Sequence, residues 1–308
     1  MPNPLKLADV AVSIAEVATG EVGLAARRAA RGFAEEASVA LTGAINRAGK
    51  GATGLVELTG GSIPVKGGNV SRELAGDIAK DATAVDWLSR AKSIANPYLT
   101  EFNATQADPA YRRAIDITRC RIPSTTEEYT QAYRTQMTTR FGLTHKYAWA
   151  VPNAEALAAV AQQGKVVEAG AGSGYWASLL REMKADVVAF DEHGTALRGS
   201  LDANRFHSGA RAWTDIVRGD ATAIKQYPDR SLFMSFPPED DPFAYDVLRR
   251  YKGDRFVYVG EPAGGVTGDE KFHNLVARGW KEVKTVEIPR WESSSGFLQD
   301  ALTVYERR

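Results

Sequence analysis

VVEAGAGSGYW, from Val166 to Trp176, decides the fold of this chain. Two valines lead into Glu168, and three glycines follow at Gly170, Gly172 and Gly174 before a helical stretch opens at Tyr175. Glycines let the backbone turn sharply and approach a ligand without a Cβ in the way. The helix beyond offers free N–H groups and a positive dipole end. A dinucleotide turn has the spacing G-x-G-x-x-G, and its third glycine would fall here at Tyr175. The observed spacing is G-x-G-x-G with an acid two residues ahead, which suits a ligand carrying a cationic amino group better than a pyrophosphate.

Outward from this turn, the second half of the chain alternates. Strands are expected at Lys165–Glu168, Asp186–Phe190, Trp213–Val217, Leu232–Phe236, Arg255–Val259, Glu282–Ile288 and Ala301–Tyr305. Helices are expected at Asn153–Gln163, Tyr175–Lys184, Thr195–Asn204, Pro242–Tyr251 and Gly268–Arg278. Such alternation implies a mostly parallel, Rossmann-like α/β sheet of seven strands with helices on both faces. The last two strands have no helix between them, so an antiparallel pairing is expected there. No internal repeat is visible.

The first half reads differently. Residues 1–66 are rich in Ala, Val and Gly, and Leu7, Val10, Ile14 and Val17 follow helical spacing. A second helical stretch runs from about Val22 to Ile45, and Gly49–Gly68 reads as a Gly-rich looping linker. This arm is expected to serve a partner or self-association, with simple packing on the rest of the chain as the alternative. Residues 67–140 read as a second helical region, with helices towards Ala82 and over Ala84–Asn96. Pro97, Pro109 and Pro123 punctuate it. Ser124-Thr-Thr-Glu127 has capping-box spacing, which predicts a helix from Thr125 to about Arg140. Six arginines between Arg112 and Arg140 make a candidate phosphate-binding surface, so nucleic acid stays open as a partner. The third region, 141–308, carries the alternating pattern.

The 308 residues hold 38 Lys+Arg against 38 Asp+Glu, so no global positive field draws in nucleic acid. With 44% hydrophobic and 25% charged residues the chain is an ordinary globular one. The single cysteine, Cys120, cannot close an internal disulfide, and with four scattered histidines it makes a poor metal set; no metal is expected. No secretory signal and no run long enough to span a bilayer is visible, so the expected location is cytoplasmic.

The Gly-rich turn resembles the first motif of class I S-adenosylmethionine-dependent methyltransferases. The segment from Lys146 to Arg308 resembles bacterial and phage-type members, through KYAW, GAGSGYWA, a Pro-Pro motif and YVGE. The resemblance implies a class I methyltransferase sheet with S-adenosylmethionine as cofactor. Glu168 would meet its methionine end, Gly170, Gly172 and Gly174 with Tyr175 and Trp176 would shape the cofactor loop, Asp191 would bind the ribose hydroxyls, and Asp220 the adenine amino group. The segment around Tyr147, Trp149 and Pro152 would cover the cofactor.

Ser235-Phe236-Pro237-Pro238 ends the fourth strand, where strand order reverses and a crevice is expected. In amino-methyltransferases acting on bases, a related motif reads a polar residue, two prolines and an aromatic. Here Phe236 stands between Ser235 and the prolines, and Glu239 follows them. A hydrogen-bond acceptor beside an aromatic face suits a nitrogen nucleophile, on a nucleobase, a protein or a small amine. Glu261 is the candidate substrate contact from the fifth strand, ahead of a Gly-rich loop expected to be mobile. The competing expectation is a methyltransferase fold kept without turnover, used for structure or interaction through the N-terminal arm.

Overall fold

The computed structural model describes residues 53–58, 61–66, 87–194, 207, 211–293 and 296–308. The chain forms two compact units, Met1–Ala82 and Thr83–Arg308. The helices expected over residues 7–45, before Ala82 and over Thr195–Asn204 lie outside the described residues.

In the first unit, β1 (Thr53–Leu58) and β2 (Gly61–Lys66) pair antiparallel, Leu58 opposite Gly61 and Thr53 opposite Lys66. This corrects the reading of Gly49–Gly68 as a loop. The glycines of that tract were read as breakers, but it also carries Leu55, Val56, Ile63 and Val65, residue types that favour strands.

In the second unit, residues 87–93 are helical, and three helices follow: α1 (Pro97–Ala107), α2 (Pro109–Thr118) and α3 (Thr126–Lys146). Pro97 and Pro109 do not interrupt this region; each opens a helix. Proline's fixed φ suits the first helical position, where its missing N–H is not needed. Asn96 and Asp108 cap the two helices, accepting from the backbone N–H of Leu99 at 3.1 Å and of Ala110 at 2.8 Å. A capping box opens α3 one residue later than the Ser124…Glu127 pair read from the sequence: Thr125 Oγ1 accepts from Glu128 N, and Glu128 Oε2 accepts from Thr125 N. The helix runs to Lys146, so a boundary at 140/141 falls inside it.

The sheet has the expected seven strands. After α4 (Ala154–Ala161) come β3 (Val166–Ala169), α5 (Tyr175–Glu182), β4 (Val187–Asp191), β5 (Val217–Arg218), a 3-10 turn (Ala221–Gln226), β6 (Ser231–Ser235), α6 (Phe243–Arg250), β7 (Arg255–Gly260), α7 (Glu270–Gly279) and β8 (Trp280–Glu287). Two short strands, β9 (Glu292–Ser293) and β10 (Gly296–Phe297), pair with each other, and β11 (Ala301–Arg307) closes the chain. The order in the sheet is β5-β4-β3-β6-β7-β11-β8. Strands β3 to β7 run parallel, and β11 lies antiparallel between β7 and β8. The chain leaves β3 in one direction and returns to its other side at β6, which places the switch point between those two strands.

β5 is shorter than expected. Trp213 N donates to Ser173 O, and Arg181 Nη1 donates to Asp215 O, so backbone groups that would have joined β4 are held elsewhere. All four residues of β3 are buried, as a central parallel strand covered on both faces requires. One face of the sheet packs Trp176, Leu180 and Phe233; the other packs Phe190, Leu248, Phe256 and Phe272. Each large side chain buried this way stabilises the fold by ~1.5–3 kcal/mol. The helical layer belongs to the first of these cores. Trp291 stands edge-on to Phe102 at 4.8 Å, and its Nε1–H donates to Tyr98 Oη at 3.1 Å. Among the described residues, no helix is long and apolar enough to cross a membrane.

Candidate active site

The Gly-rich turn sits at the carboxyl ends of β3 and β4. Gly170, Gly172 and Gly174 all take positive φ, at 72°, 56° and 75°. The carbonyl of Phe190 accepts from Gly170 N and Ala171 N, which holds the loop to β4. Asp191 completes the junction. Its Oδ2 accepts from Gly172 N and its Oδ1 from His193 N, both at 3.0 Å. The glycines are also sterically required. A Cβ at Gly170 would lie 3.0 Å from the Phe243 ring, and one at Gly172 would lie 2.5 Å from His207 Nε2.

Glu168 is buried beneath the loop and its Oε2 has no hydrogen-bond partner. Burial pushes its carboxyl up to about 8, against the opposing pull of Arg181 and the Ala177 N–H. Glu192 is raised as well, by burial and by the charges of Asp241, Asp191 and Asp220. The crevice wall is therefore rich in acids, which suits a ligand bearing an ammonium and a sulfonium. Asp220 itself caps the 3-10 turn, accepting from Thr222 N at 2.8 Å and Thr222 Oγ1 at 2.6 Å, and these bonds hold its carboxyl below the usual range. It remains exposed to solvent.

The segment before α4 lies across the turn, where a cover was expected. Tyr147 O accepts from the Ser173 hydroxyl, and Ala150 O accepts from Trp176 Nε1 at 3.3 Å. Tyr175 and Trp176 are core residues. Tyr175 packs edge-on to Tyr98, Tyr147 and Trp213, and Trp176 packs on Phe233. Their part is to seat α5, and with it the loop.

On the other side of the switch point, Ser235 ends β6 half-buried, and among the described residues its hydroxyl makes no hydrogen bond. Phe236 adopts φ 54°, a left-handed backbone rarely taken by a large side chain. Its N–H donates to Val259 O at 2.7 Å, and its ring stacks on Trp149 with centroids 6.0 Å apart. Phe141 and His145 join this aromatic group from α3. A strained residue over-determined by its surroundings is a mark of functional sites.

The Gly-rich loop after β7 is tied rather than loose. Gly268 N donates to Pro237 O at 2.8 Å, Pro238 bridges Thr267, and Thr267 Oγ1 meets Tyr258 Oη at 2.6 Å. Glu261 is a clasp for it: Oε2 accepts from Val266 N at 2.8 Å and Oε1 from Gln299 N at 2.7 Å. Ser235, Phe236, Pro237, Pro238 and Glu261 thus come together at one edge, and Glu168, the glycines and Asp191 at the adjoining one.

Two contributors, His207 and Asp300, were not read from the sequence, and a third, Arg140, was read only as part of the arginine surface. His207 is buried against Gly172, with Nδ1–H donating to His145 O at 3.1 Å, and burial lowers its ring to about 4. No motif surrounds it. Asp300, just ahead of β11, flanks the pair Ala301–Gly260 opposite Glu261, and Arg140 on α3 acts on both acids through its charge. The arginines read as one surface are divided: Arg119 and Arg121 both pair with Glu292, while Arg140 turns inward. Among the described residues, no group of His, Cys, Asp and Glu is arranged to hold a metal ion.

No protein-family model matches the chain, and no curated protein does. Solved structures with a similar arrangement include a SAM dependent methyltransferase from Archaeoglobus fulgidus, 14% identical over 47% of this chain and 86% of that one, with a TM-score of 0.30. The O-methyltransferase NcsB1 from neocarzinostatin biosynthesis is 15% identical over 98% and 94%, also at 0.30. The mitomycin 7-O-methyltransferase MmcR is 13% identical over 97% and 92%, at 0.30. At these scores the likenesses carry no argument about chemistry, which rests on the residues above.

Proposed function

We propose that this chain is an S-adenosylmethionine-dependent methyltransferase acting on a nitrogen nucleophile. The observation that carries the reading is the bond from Gly172 N to Asp191 Oδ2 at the switch point. It joins a turn of three left-handed glycines to an acid at the end of the second strand. The residues present fit the cofactor. The glycines leave room for close backbone approach, Asp191 stands at the end of the second strand where a ribose would lie, and Glu168 Oε2 is an unpartnered acceptor for an ammonium. Asp220 would meet the adenine amino group once its bonds to Thr222 open.

Bound S-adenosylmethionine supplies an electrophilic methyl group with a neutral leaving group. The chain's own residues then align and desolvate the acceptor. Ser235 Oγ accepts a hydrogen bond from the acceptor amine and orients its lone pair. The Phe236 and Trp149 rings hold a flat group in place. Tyr147 and its neighbours keep water from the turn. A fold retained without turnover is the lesser reading, because Glu168, the glycines and Asp191 are all kept together.

Calorimetry with S-adenosylhomocysteine tests the cofactor. Binding is expected, with a weaker complex for Asp191→Ala. If the ligand's ammonium meets Glu168, a proton leaves the protein on binding at pH 7, so the heat will depend on the buffer's ionisation enthalpy. A chain that binds no S-adenosylhomocysteine ends the reading. Transfer of labelled methyl groups to oxygen acids alone, in a screen of amines, nucleobases, proteins and carboxylic acids, ends the nitrogen assignment.

A further inference from the structure

Between the helical layer and the end of β7 lies a set of polar side chains that the steps above leave unused. Gln106 stands near the end of α1, Tyr111 on α2 and Arg140 on α3, and Asp300 directly precedes β11. Gln106 Nε2, Arg140 Nε and Asp300 Oδ1 are all buried without a hydrogen-bond partner. Among the described residues Arg140 forms no ion pair. A buried polar atom left unpaired costs free energy, and a charged one costs more. Native proteins keep few of them, so these call for an explanation.

These groups share one field. The charge of Arg140 is felt by Asp300, Glu261, Tyr98 and Tyr111. They also adjoin the acceptor end of the crevice. Asp300 and Glu261 flank the paired residues Ala301 and Gly260, and Phe236 donates to Val259 one position earlier. On α3, Phe141 follows Arg140 and packs at 5.9 Å from Trp149, which stacks on Phe236.

The charges narrow what fits. A carboxylate or phosphate only accepts, and would meet Asp300 and Glu261 as like charges. An ammonium would face the permanent cation of Arg140. A neutral group with an acceptor beside a donor satisfies both orphans at once. We propose that Arg140 and Asp300 form the recognition subsite for the methyl acceptor, taking a flat neutral ring that presents a carbonyl beside an N–H, as a lactam does. The carbonyl accepts from Arg140, the ring N–H donates to Asp300, and the ring face suits the aromatic group at Trp149 and Phe236. The assignment of this ligand as the methyl acceptor rests on the methyltransferase reading; the subsite itself does not.

The full chain, free of cofactor, is titrated with 2-pyridone, benzoate and benzylamine as lactam, anion and cation probes, followed by NMR. 2-Pyridone is expected to bind at least tenfold more tightly than the other two. Arg140→Met and Asp300→Leu are each expected to weaken it about tenfold, the usual effect of removing one side of a buried hydrogen bond, with S-adenosylhomocysteine binding unchanged. Should Arg140→Met fail to fold, as judged by its melting curve, Asp300→Leu and Arg140→Lys carry the comparison. Benzoate or benzylamine binding as well as 2-pyridone, no 2-pyridone binding, or affinities unmoved by the variants overturns the subsite. A chain that takes 2-pyridone but not S-adenosylhomocysteine keeps the subsite and loses the methyltransferase reading; the reverse loses the subsite alone.

Discussion

At the carboxyl ends of β3 and β4 the backbone forms the site, whereas at the ends of β6, β7 and β11 side chains form it. The first region is nearly complete as it stands: Asp191 accepts from two backbone N–H groups, and Phe190 O holds the loop. Its parts lie within a span of residues 168–193. The second region draws Gln106, Arg140, Trp149, Phe236, Glu261 and Asp300 from six places in the chain, and Gln106 Nε2, Arg140 Nε and Asp300 Oδ1 are buried without a partner. A site made by the backbone is assembled with the fold. A site made by distant side chains is left with polar atoms for a ligand to complete.

The sharpest way to break this contrast is a methyl group at Gly172. Alanine there must hold φ 56° and place its Cβ 2.5 Å from His207 Nε2. Gly172→Ala should lower S-adenosylhomocysteine affinity by about a hundredfold or more and destabilise the chain by ~1–3 kcal/mol. Gly264→Ala is the control, since φ is +88° but nothing lies within 4 Å of its Cβ. It should cost ~1 kcal/mol in thermal unfolding and leave binding alone. Equal loss of binding in both variants would mean that backbone strain alone, not closeness at the turn, is what matters.

Glu168 tests whether the cofactor side holds a buried acid that is protonated. Its folded pKa of about 8 lies above the ordinary value of 4.5. Between those values the folded chain binds more proton than the unfolded one, so stability falls as pH rises from 4.5 to 8 and levels off above. At about 1.4 kcal/mol per tenfold change in proton affinity, the loss reaches at most ~5 kcal/mol. Glu168→Gln should remove this slope in denaturant titrations and be the more stable protein at pH 8. Parallel curves for the two proteins would place the Glu168 carboxyl in a wetter setting than its burial indicates.

The same contrast explains what could be read from the sequence. Seven strands and the glycine turn were legible because alternating valines and a G-x-G-x-G spacing are local signals. The prolines at 97 and 109 were legible as boundaries but not as helix starts, since proline ends one segment and opens another with the same letter. Arg140 could not be separated from Arg119 and Arg121 by composition; only packing sends one inward and two to Glu292. His207 and Asp300 stand in no motif, and their burial depends on elements up to 160 residues away, as Arg140 and Asp300 illustrate.

On the side-chain half, Phe236 separates catalysis from stability. Phe236→Gly relieves a left-handed backbone worth ~1–2 kcal/mol and gives up a stack with Trp149 worth ~0.5–1.5 kcal/mol. Apart from lost burial the two offset, so the melting temperature should move by only a few degrees. Methyl transfer should nevertheless fall about tenfold while S-adenosylhomocysteine binds as before. Unchanged transfer would remove Phe236 from the acceptor side and make its strain a purely structural feature.

The smallest effect is expected where the helical layer is fastened to that half by charge. Glu292 Oε1 takes Arg121 Nη2 at 2.8 Å and also meets Arg119, while Arg121 holds Asp116 at 3.0 Å. Glu292 is mostly buried but both arginines are partly exposed, so solvent screens the pair and the second carboxylate keeps Arg121 occupied. Glu292→Gln preserves one acceptor for either arginine. The cost in thermal unfolding should be ~0.5–1 kcal/mol, reduced further in high salt. Binding of 2-pyridone should not change, because Tyr98, Phe102 and Trp291 already hold α1 in place by packing. A loss of 2-pyridone affinity in this variant would show that charge, rather than the aromatic contacts, sets the position of the helices over the acceptor end.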